Sequence, residues 1–333
     1  MNLDLRTYST FNIGGIAHKV FEINTIQDIE KINSYCEYIK KPLVIIGEGS
    51  NSIFADTTDK YVIGLMQIKG IEILSQENTD VYIKSFAGEK WDAVVQWSIE
   101  HDLSGLESLS GIPGTAGAAP IQNIGAYGSD VSKTIVEVEV FDRKDSKIKT
   151  LPHTECKFEY RNSIFKKDRE RYIIISITLK LSTIPAKIPQ YKDVQEYFKQ
   201  NTNPSTKEIR NAILEIRNSK IPDYKKIPNC GSFFENPIIS KEHFEKIQKN
   251  FPDIPSFELP NGMYKVFAGW LIEHVDYINA QTEKIIFNST NKLVLLNIDN
   301  GTFDDLQKVL TSIKEKIKYT FNINLNPEPN IFE

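Results

Sequence analysis

The sequence is poor in cysteine and histidine. Three cysteines (Cys36, Cys156 and Cys230) lie far apart in 333 residues. Without a CxxC pair they form neither a zinc spacing nor the framework of a disulfide-stapled domain. The five histidines (His18, His101, His153, His243 and His274) are equally scattered and no HExxH occurs, so no metal site is expected. No run of 18 or more apolar residues is present to span a bilayer. The opening MNLDLRTYSTFNIGG lacks the basic-then-apolar order of a secretory signal. No charge of one sign dominates either: 40 Lys+Arg stand against 44 Asp+Glu, a net −4. That balance argues against binding along nucleic acid, though not against a pocket for a small anion. The expectation is a reduced, cytoplasmic protein with neither a membrane nor a nucleic acid as partner.

What is present is ordinary globular material, 40% hydrophobic and 25% charged, at a length that suggests about two or three domains. His18 to Ile23 reads as a strand. Thr25 and Asp28 approximate a capping box for a helix whose face is Ile29, Ile32, Tyr35, Cys36 and Ile39, and Pro42 stops it. A buried strand, Leu43 to Ile46, runs into Gly47-Glu48-Gly49-Ser50-Asn51, and the run from Phe54 through Thr57, Thr58 and Asp59 is not helical in pattern. Short strands follow at Tyr61–Met66, Ile71–Leu74 and Val81–Ala87. A helix carrying Trp91, Val94, Val95 and Ile99 is expected to end near Gly105 as its C-cap. Val136, Val138 and Val140 alternate with Glu137 and Glu139, and a turn over Arg143–Ser146 leads to a partner strand. Tyr172 to Leu181 reads as a long buried strand, and composition shifts at Ile184–Pro189, the expected domain boundary. Ser205 with Glu208, Ser240, and Thr302 with Asp305 open three later helices, and Lys292 to Ile298 reads as a strand. The mixture of hairpins and helices is α+β.

Two glycine-rich segments point to a ligand. Strand-then-GEGSN resembles G-x-G-x-x-G, and Glu72 lies about where a ribose-binding acid is expected, but the intervening strands break the βαβ unit of a dinucleotide site. A turn exposing N–H groups to phosphate fits better. Gly111 to Gly128 holds five of the 17 glycines and has no GK[ST], so it is not a nucleoside-triphosphate loop. Together the segments suggest a cradle for a large, flat, phosphate-bearing ligand, with two tight turns as the plain alternative. Taken singly, Arg161 reads as a surface ion-pair residue, Ser232 as a turn former and Glu328 as a solvated tail acid.

In order along the chain, GEGSN at 47–51, GIPGTAGAAPIQNIGAYG at 111–128, YRNSIFK at 160–166, GSFFENP at 231–237 and Pro327-Glu328 resemble the UDP-N-acetylenolpyruvoylglucosamine reductases, flavoenzymes of cell-wall precursor synthesis. The match runs from Ser9-Thr10-Phe11 to the last ten residues. The resemblance implies an FAD-binding region of the vanillyl-alcohol-oxidase type in two α/β parts, residues 1–66 and 67–183. A substrate-binding domain over 184–319 and a tail, 320–333, returning to the active site complete the implied division.

It implies FAD phosphates against Gly47, Glu48, Gly49, Ser50 and Asn51 and against Gly114, Thr115, Gly117 and Ala118. The flavin ring would lie near Ile112, Pro113, Ile121, Gln122, Asn123 and Gly125, with Ile174 close by. NADPH would be the hydride donor and UDP-N-acetylglucosamine enolpyruvate the substrate. Arg161 matches the family's charge-stabilising arginine, Glu328 the carboxyl group beside it, and Ser232 the proton donor. Lys220 matches a pyrophosphate contact, Asn236 a further contact, and Tyr191 the substrate-covering tyrosine of the tyrosine-loop type, with 185–189 in a closing loop. A monomer is implied.

Two departures stand out: Glu235 where relatives often carry Lys, and a bulky, polar segment from Ala280 to Asn291 where glycine is common. The rival readings are another flavin oxidoreductase of this cofactor fold acting on an alcohol or carbohydrate, and a binding module whose chemistry has lapsed. An alcohol oxidase needs a base, whereas Arg161, Ser232 and Glu328 together favour an enolpyruvyl substrate, which needs a carbanion acid.

Overall fold

The computed structural model describes residues 4–56 and 59–333. Residues 1–3 of the opening segment, and Thr57 and Thr58 of the non-helical run, lie outside the described residues. The architecture is α+β, in two compact units that do not follow sequence order. One holds Ile16–Gly49 and Asp59–Ser219, the other Asp4–Gly15, residues 50–56 and Lys220–Glu333.

In the first unit, three parallel strands order as Lys19–Ile23, Val62–Met66, Leu43–Ile46. The helix Ile26–Ile39 carries the chain from the Lys19–Ile23 edge to the parallel Leu43–Ile46 edge, a long connection of the kind parallel strands require. Its capping box is complete: the Thr25 hydroxyl accepts from the Asp28 amide, and the Asp28 carboxylate accepts from the Thr25 amide. A five-stranded antiparallel sheet follows, ordered Lys147–Pro152, Ile135–Asp142, Tyr172–Ser182, Asp80–Phe86, Ile71–Glu77. Its middle strand is buried over seven consecutive residues, which is why it reads as a continuous apolar run. Ile83, Val138, Ile175 and Ile177 share one core with Trp91, Val94 and Val95 of the helix Trp91–Glu100 and with Ile29 and Ile32.

That helix does not end on Gly105. Asp102 takes the left-handed conformation, φ 55, and the amides of Asp102 and Leu103 bond back to Ile99 and Ser98 at 3.1 and 2.8 Å. This double closure suits any residue that tolerates positive φ, as aspartate does.

The boundary expected at 184 lies instead at Ser219/Lys220. The helices Lys192–Tyr197 and Thr206–Lys220 bury Val194, Phe198, Ile209, Ala212 and Ile213 together, with Tyr127 packed against them. Arg210 forks onto both carboxylate oxygens of Asp92 at 2.7 Å each. These contacts tie 184–219 to the first unit, which the proline-rich composition at 184–189 does not reveal.

In the second unit the helix Phe303–Phe321 turns Leu306, Val309, Leu310, Ile313 and Ile317 into a core shared with Phe11, Ile13, Ile53, Phe233 and Phe234. The strand expected over 292–298 is confined to Leu295–Asn297, paired with Ile285–Phe287. The residues before it fold back, Val294 bonding to the Asn291 carbonyl. The tail ends in a strand, Asn330–Phe332, laid parallel on Ser52–Phe54.

One buried acid holds a corner of the first unit. The Asp142 side chain is wholly buried and accepts from Arg171 Nε and Nη2 at 3.0 and 2.8 Å, Lys149 Nζ at 2.7 Å and the Lys144 amide at 3.1 Å. These donors, Arg171 first, hold its carboxyl far below the usual carboxylate range. The resulting stability is present above the unfolded value of about 4 and drains away only as pH falls through the depressed folded value. Asp142→Asn should therefore lower the urea-unfolding free energy at pH 7 by about 2 kcal/mol. The gap from wild type should narrow below about pH 4; a gap independent of pH would refute the assignment.

Candidate active site

The two glycine-rich segments of the first unit are bound to each other. The Gly114 amide donates to Glu48 Oε2 at 2.8 Å, and Lys90 Nζ reaches Glu48 Oε1 at 3.3 Å. Gly47 lies so close to Thr115 that a Cβ built on it would sit 2.3 Å from Thr115 Oγ1. Gly117 donates to the Ala87 carbonyl at 3.0 Å. Ala116 and Ala119 point into the core, whereas Ile112, Pro113, Ala118, Ile121, Gln122 and Gly125 stay half-buried. Ile174 is buried in the sheet core.

Arg161 sits on a tight turn closed by Glu159 and Asn162, whose backbones exchange hydrogen bonds at 3.0 and 3.2 Å. Its Nη2 donates to the Gly125 carbonyl at 3.0 Å, and Lys166 Nζ donates to its carbonyl at 2.9 Å. Asn123 joins the same corner: its Nδ2 donates to the Glu159 carbonyl at 3.2 Å and its Oδ1 accepts from the Ser132 amide at 3.0 Å. Tyr191 meets Tyr127 edge to face, ring centres 5.3 Å apart. Burial pushes the Tyr127 phenol up to about 12, and burial draws the Arg217 guanidinium down despite the nearby Tyr127 and Asp92.

Tyr127 and Arg217 went unselected by sequence reasoning. Arg217 Cδ lies 3.2 Å from where a Gly111 Cβ would be, a cation beside the glycine loop. A helix-face arginine carries no signal of this; Tyr127 could have been found as the one bulky residue in the GAYG end of the loop.

In the second unit, Ser232 and Glu328 lie on paired backbone segments. Ser232 bridges Val294, and Phe234 bridges Pro327. The Phe233 amide donates to the Leu293 carbonyl at 2.6 Å, and its carbonyl accepts from the Glu328 amide at 2.8 Å. Asn51 Nδ2 donates to the Glu328 carbonyl at 3.3 Å. Burial, with the Glu328 charge adding to it, pushes the Cys230 thiol well up. Asn236 uses its Oδ1 to accept from the Ala268 amide at 3.0 Å, holding the start of the helix Ala268–Glu273. The Lys220 carbonyl accepts from Asn288 Nδ2 at 3.2 Å.

Thus Gly47, Glu48, Gly49, the residues chosen between 112 and 125, Arg161, Ile174 and Tyr191 belong to the first unit. Ser50, Asn51, Lys220, Ser232, Asn236 and Glu328 belong to the second. Among the described residues no three of His, Cys, Asp or Glu gather as a metal site, and no helix is long and apolar enough to cross a membrane.

Residues 17–151 match the model of an FAD binding domain, and residues 222–332 that of the UDP-N-acetylenolpyruvoylglucosamine reductase C-terminal domain. The chain is 36% identical to a UDP-N-acetylenolpyruvoylglucosamine reductase of Flavobacterium johnsoniae over 99% of its length and 98% of the relative's. It is also 36% identical to that of Polynucleobacter asymbioticus, over 99% and 95%. Its fold resembles the crystal structure of MurB, the same reductase, from Thermus caldophilus, with a TM-score of 0.68 at 19% identity over 100% and 98% of the two chains.

The contact between the glycine segments has a direct consequence. Gly47→Ala should destabilise the protein by about 1–3 kcal/mol through overpacking against Thr115. Thr115→Ala removes the two nearest atoms and should recover most of that loss in the double variant, read by thermal unfolding. Additive losses would show that the two segments are not in contact.

Proposed function

The chain belongs to the UDP-N-acetylenolpyruvoylglucosamine reductase family, and from that premise we propose that it reduces UDP-N-acetylglucosamine enolpyruvate to UDP-N-acetylmuramate. The reaction uses bound FAD and NADPH and serves peptidoglycan precursor synthesis. The observation that carries this reading is the backbone pairing of the Ser232 segment with Pro327 and Glu328, which a loose tail acid would not make.

The first unit suits FAD. Small residues line the joined glycine segments, half-buried Ile112, Pro113 and Ile121 offer apolar surface of the kind a flat ring covers, and half-buried Gln122 adds a polar amide. Gly47 to Asn51 and Gly114 to Ala118 would hold the phosphates, with Asn123, Gly125 and Ile174 at the ring end. The two parts proposed for this region are 1–66 and 67–183, of which Asp4–Gly15 and residues 50–56 belong to the second compact unit. When bound, FAD supplies a carrier that takes hydride from NADPH and delivers it to the enolpyruvyl double bond.

The protein's own groups manage the charge that this addition creates. Hydride arriving at the terminal carbon pushes electrons toward the substrate carboxylate. Arg161, held by the Gly125 carbonyl, supplies a fixed cation for that charge, and Glu328, when protonated, would supply a hydrogen-bond donor beside it. Ser232 Oγ then gives its proton to the other carbon; an alcohol is a weak acid, but an enolate is base enough when the hydroxyl is fixed within reach. Lys220 serves the pyrophosphate, Tyr191 covers the substrate, and Asn236 adds a contact through its amide. A cytoplasmic location belongs to the same proposal, because the UDP-sugar and the dinucleotides are all water-soluble, and the monomer is the state the family resemblance implies.

The purified protein should be yellow, should bleach with NADPH under anaerobic conditions, and should regain its colour on adding the enolpyruvyl UDP-sugar. Ser232→Ala should leave bleaching nearly unchanged and slow recolouring by about 10²–10⁴-fold, the range for a lost positioned acid. Recolouring by an alcohol-derived carbonyl instead of the UDP-sugar, or equal loss in both half-reactions, would overturn the assignment.

A further inference from the structure

We propose that Lys292 is a positioning residue that aligns Ser232 and Lys220 through the loop between Ile285–Phe287 and Leu295–Asn297. The inference rests on the roles assigned above to those two residues. Lys292 is only 9% exposed. Its Nζ donates to the carbonyls of Asn288 and Ser289 at 3.1 and 2.6 Å and lies 5.2 Å from the centre of the Tyr277 ring. A lysine normally carries its charge to water, so one turned inward onto backbone carbonyls and an aromatic face is there to tie chain together.

What it ties is specific. Asn288, at the entry of the loop, donates through Nδ2 to the Lys220 carbonyl at 3.2 Å, and its amide bonds the Val294 carbonyl at 2.8 Å. Leu293 and Val294, directly after Lys292, accept the Phe233 amide and bridge Ser232. The entering arm of the loop therefore holds the lysine proposed for pyrophosphate, and the leaving arm holds the serine proposed as acid. Lys292 stands on the leaving arm with its ammonium on the entering one. Remove it, and two carbonyls, one on buried Asn288, lose a donor. The arms are then free to part by fractions of an ångström, a displacement to which proton delivery is sensitive.

The test uses the flavin-loaded full chain with Lys292→Met, Lys292→Gln and Lys292→Arg. Bleaching by NADPH should stay within about twofold of wild type in all three, since the role assigned to Ser232 begins only after the flavin is reduced. Recolouring by the enolpyruvyl UDP-sugar should slow about 10–100-fold in Lys292→Met, with weaker binding of the UDP-sugar. Lys292→Arg, which keeps the charge and the donors, should restore most of both; Lys292→Gln, with a shorter, uncharged amide donor and milder for folding, should fall between. Amide exchange should quicken at 231–235 and 288–294 in the Met and Gln variants while the helix Phe303–Phe321 stays protected.

Wild-type recolouring in the folded Gln variant, or a fall in thermal midpoint with the two half-reactions unchanged, would reduce Lys292 to a stabilising residue and overturn the inference. Failure of the wild type itself to recolour would instead strike the functional reading. In that event, unchanged exchange at Phe233 in the Gln variant would still refute the positioning role.

Discussion

The second unit depends on one chain of hydrogen bonds made by the last residues of the polypeptide. Leu293 accepts from Phe233, Phe233 accepts from Glu328, Glu328 accepts from Asn51, and Asn51 accepts from Asn330. Asn330–Phe332 then pairs parallel with Ser52–Phe54, and the Ala55 amide finishes on the Phe332 carbonyl at 2.8 Å. Phe54 and Phe332 stack 5.0 Å apart, and Ile53 is fully buried. A short parallel pair is weak by itself. Here it is backed by an apolar core and by flanking hydrogen bonds at Asn51 and Ala55, so the position of Glu328 follows from the ladder and not from its own side chain.

That arrangement explains why the N-terminal segment belongs with the C-terminal unit. Phe11 and Ile13 are buried among Phe233, Leu306 and Ile317, and Asn297 Nδ2 donates to the Phe11 carbonyl at 3.0 Å. Gly15 approaches Asp56 so closely that a Cβ would stand 2.0 Å from its carbonyl oxygen, which makes glycine obligatory there. Partners so distant in sequence must await the end of the chain, and loop closure precedes any gain from contact. The second unit therefore rests on contacts of high sequence separation, while the first has its helix cap and hairpin within short stretches.

This contrast also separates what could be read from the sequence from what could not. Thr25 with Asp28, Ser205 with Glu208, and Thr302 with Asp305 all form the reciprocal caps their spacing announces. Val138 and Val140 face the core as alternation requires. Such signals are local. The partition of 184–219 was not legible because it rests on Arg210 with Asp92, a pair no periodicity relates. Glu328 beside Phe233 was reachable only through family likeness, since neither residue's neighbours record a partner so far away. The polar departure at 280–291 has a local cause: Gln281 Oε1 accepts from the Phe287 amide, Thr282 Oγ1 from the Ile285 amide, and Asn288 spans to Lys220. Side chains there close the turns through their own hydrogen bonds to the backbone.

Arg161 shows a different economy of structure. It is held at φ 52, a left-handed conformation that costs an ordinary residue roughly 1–2 kcal/mol. The turn between Glu159 and Asn162, the Lys166 amine on its carbonyl and the Gly125 carbonyl on its guanidinium all oppose relaxation. Gly125 in turn cannot gain a side chain, because a Cβ would lie 2.9 Å from the Ser129 carbonyl oxygen and 3.2 Å from Arg161 Nη1. Strain kept by so many contacts fixes the guanidinium before any ligand arrives. A cation fixed in advance needs little rearrangement when negative charge develops beside it, and this makes it effective in the role proposed for Arg161.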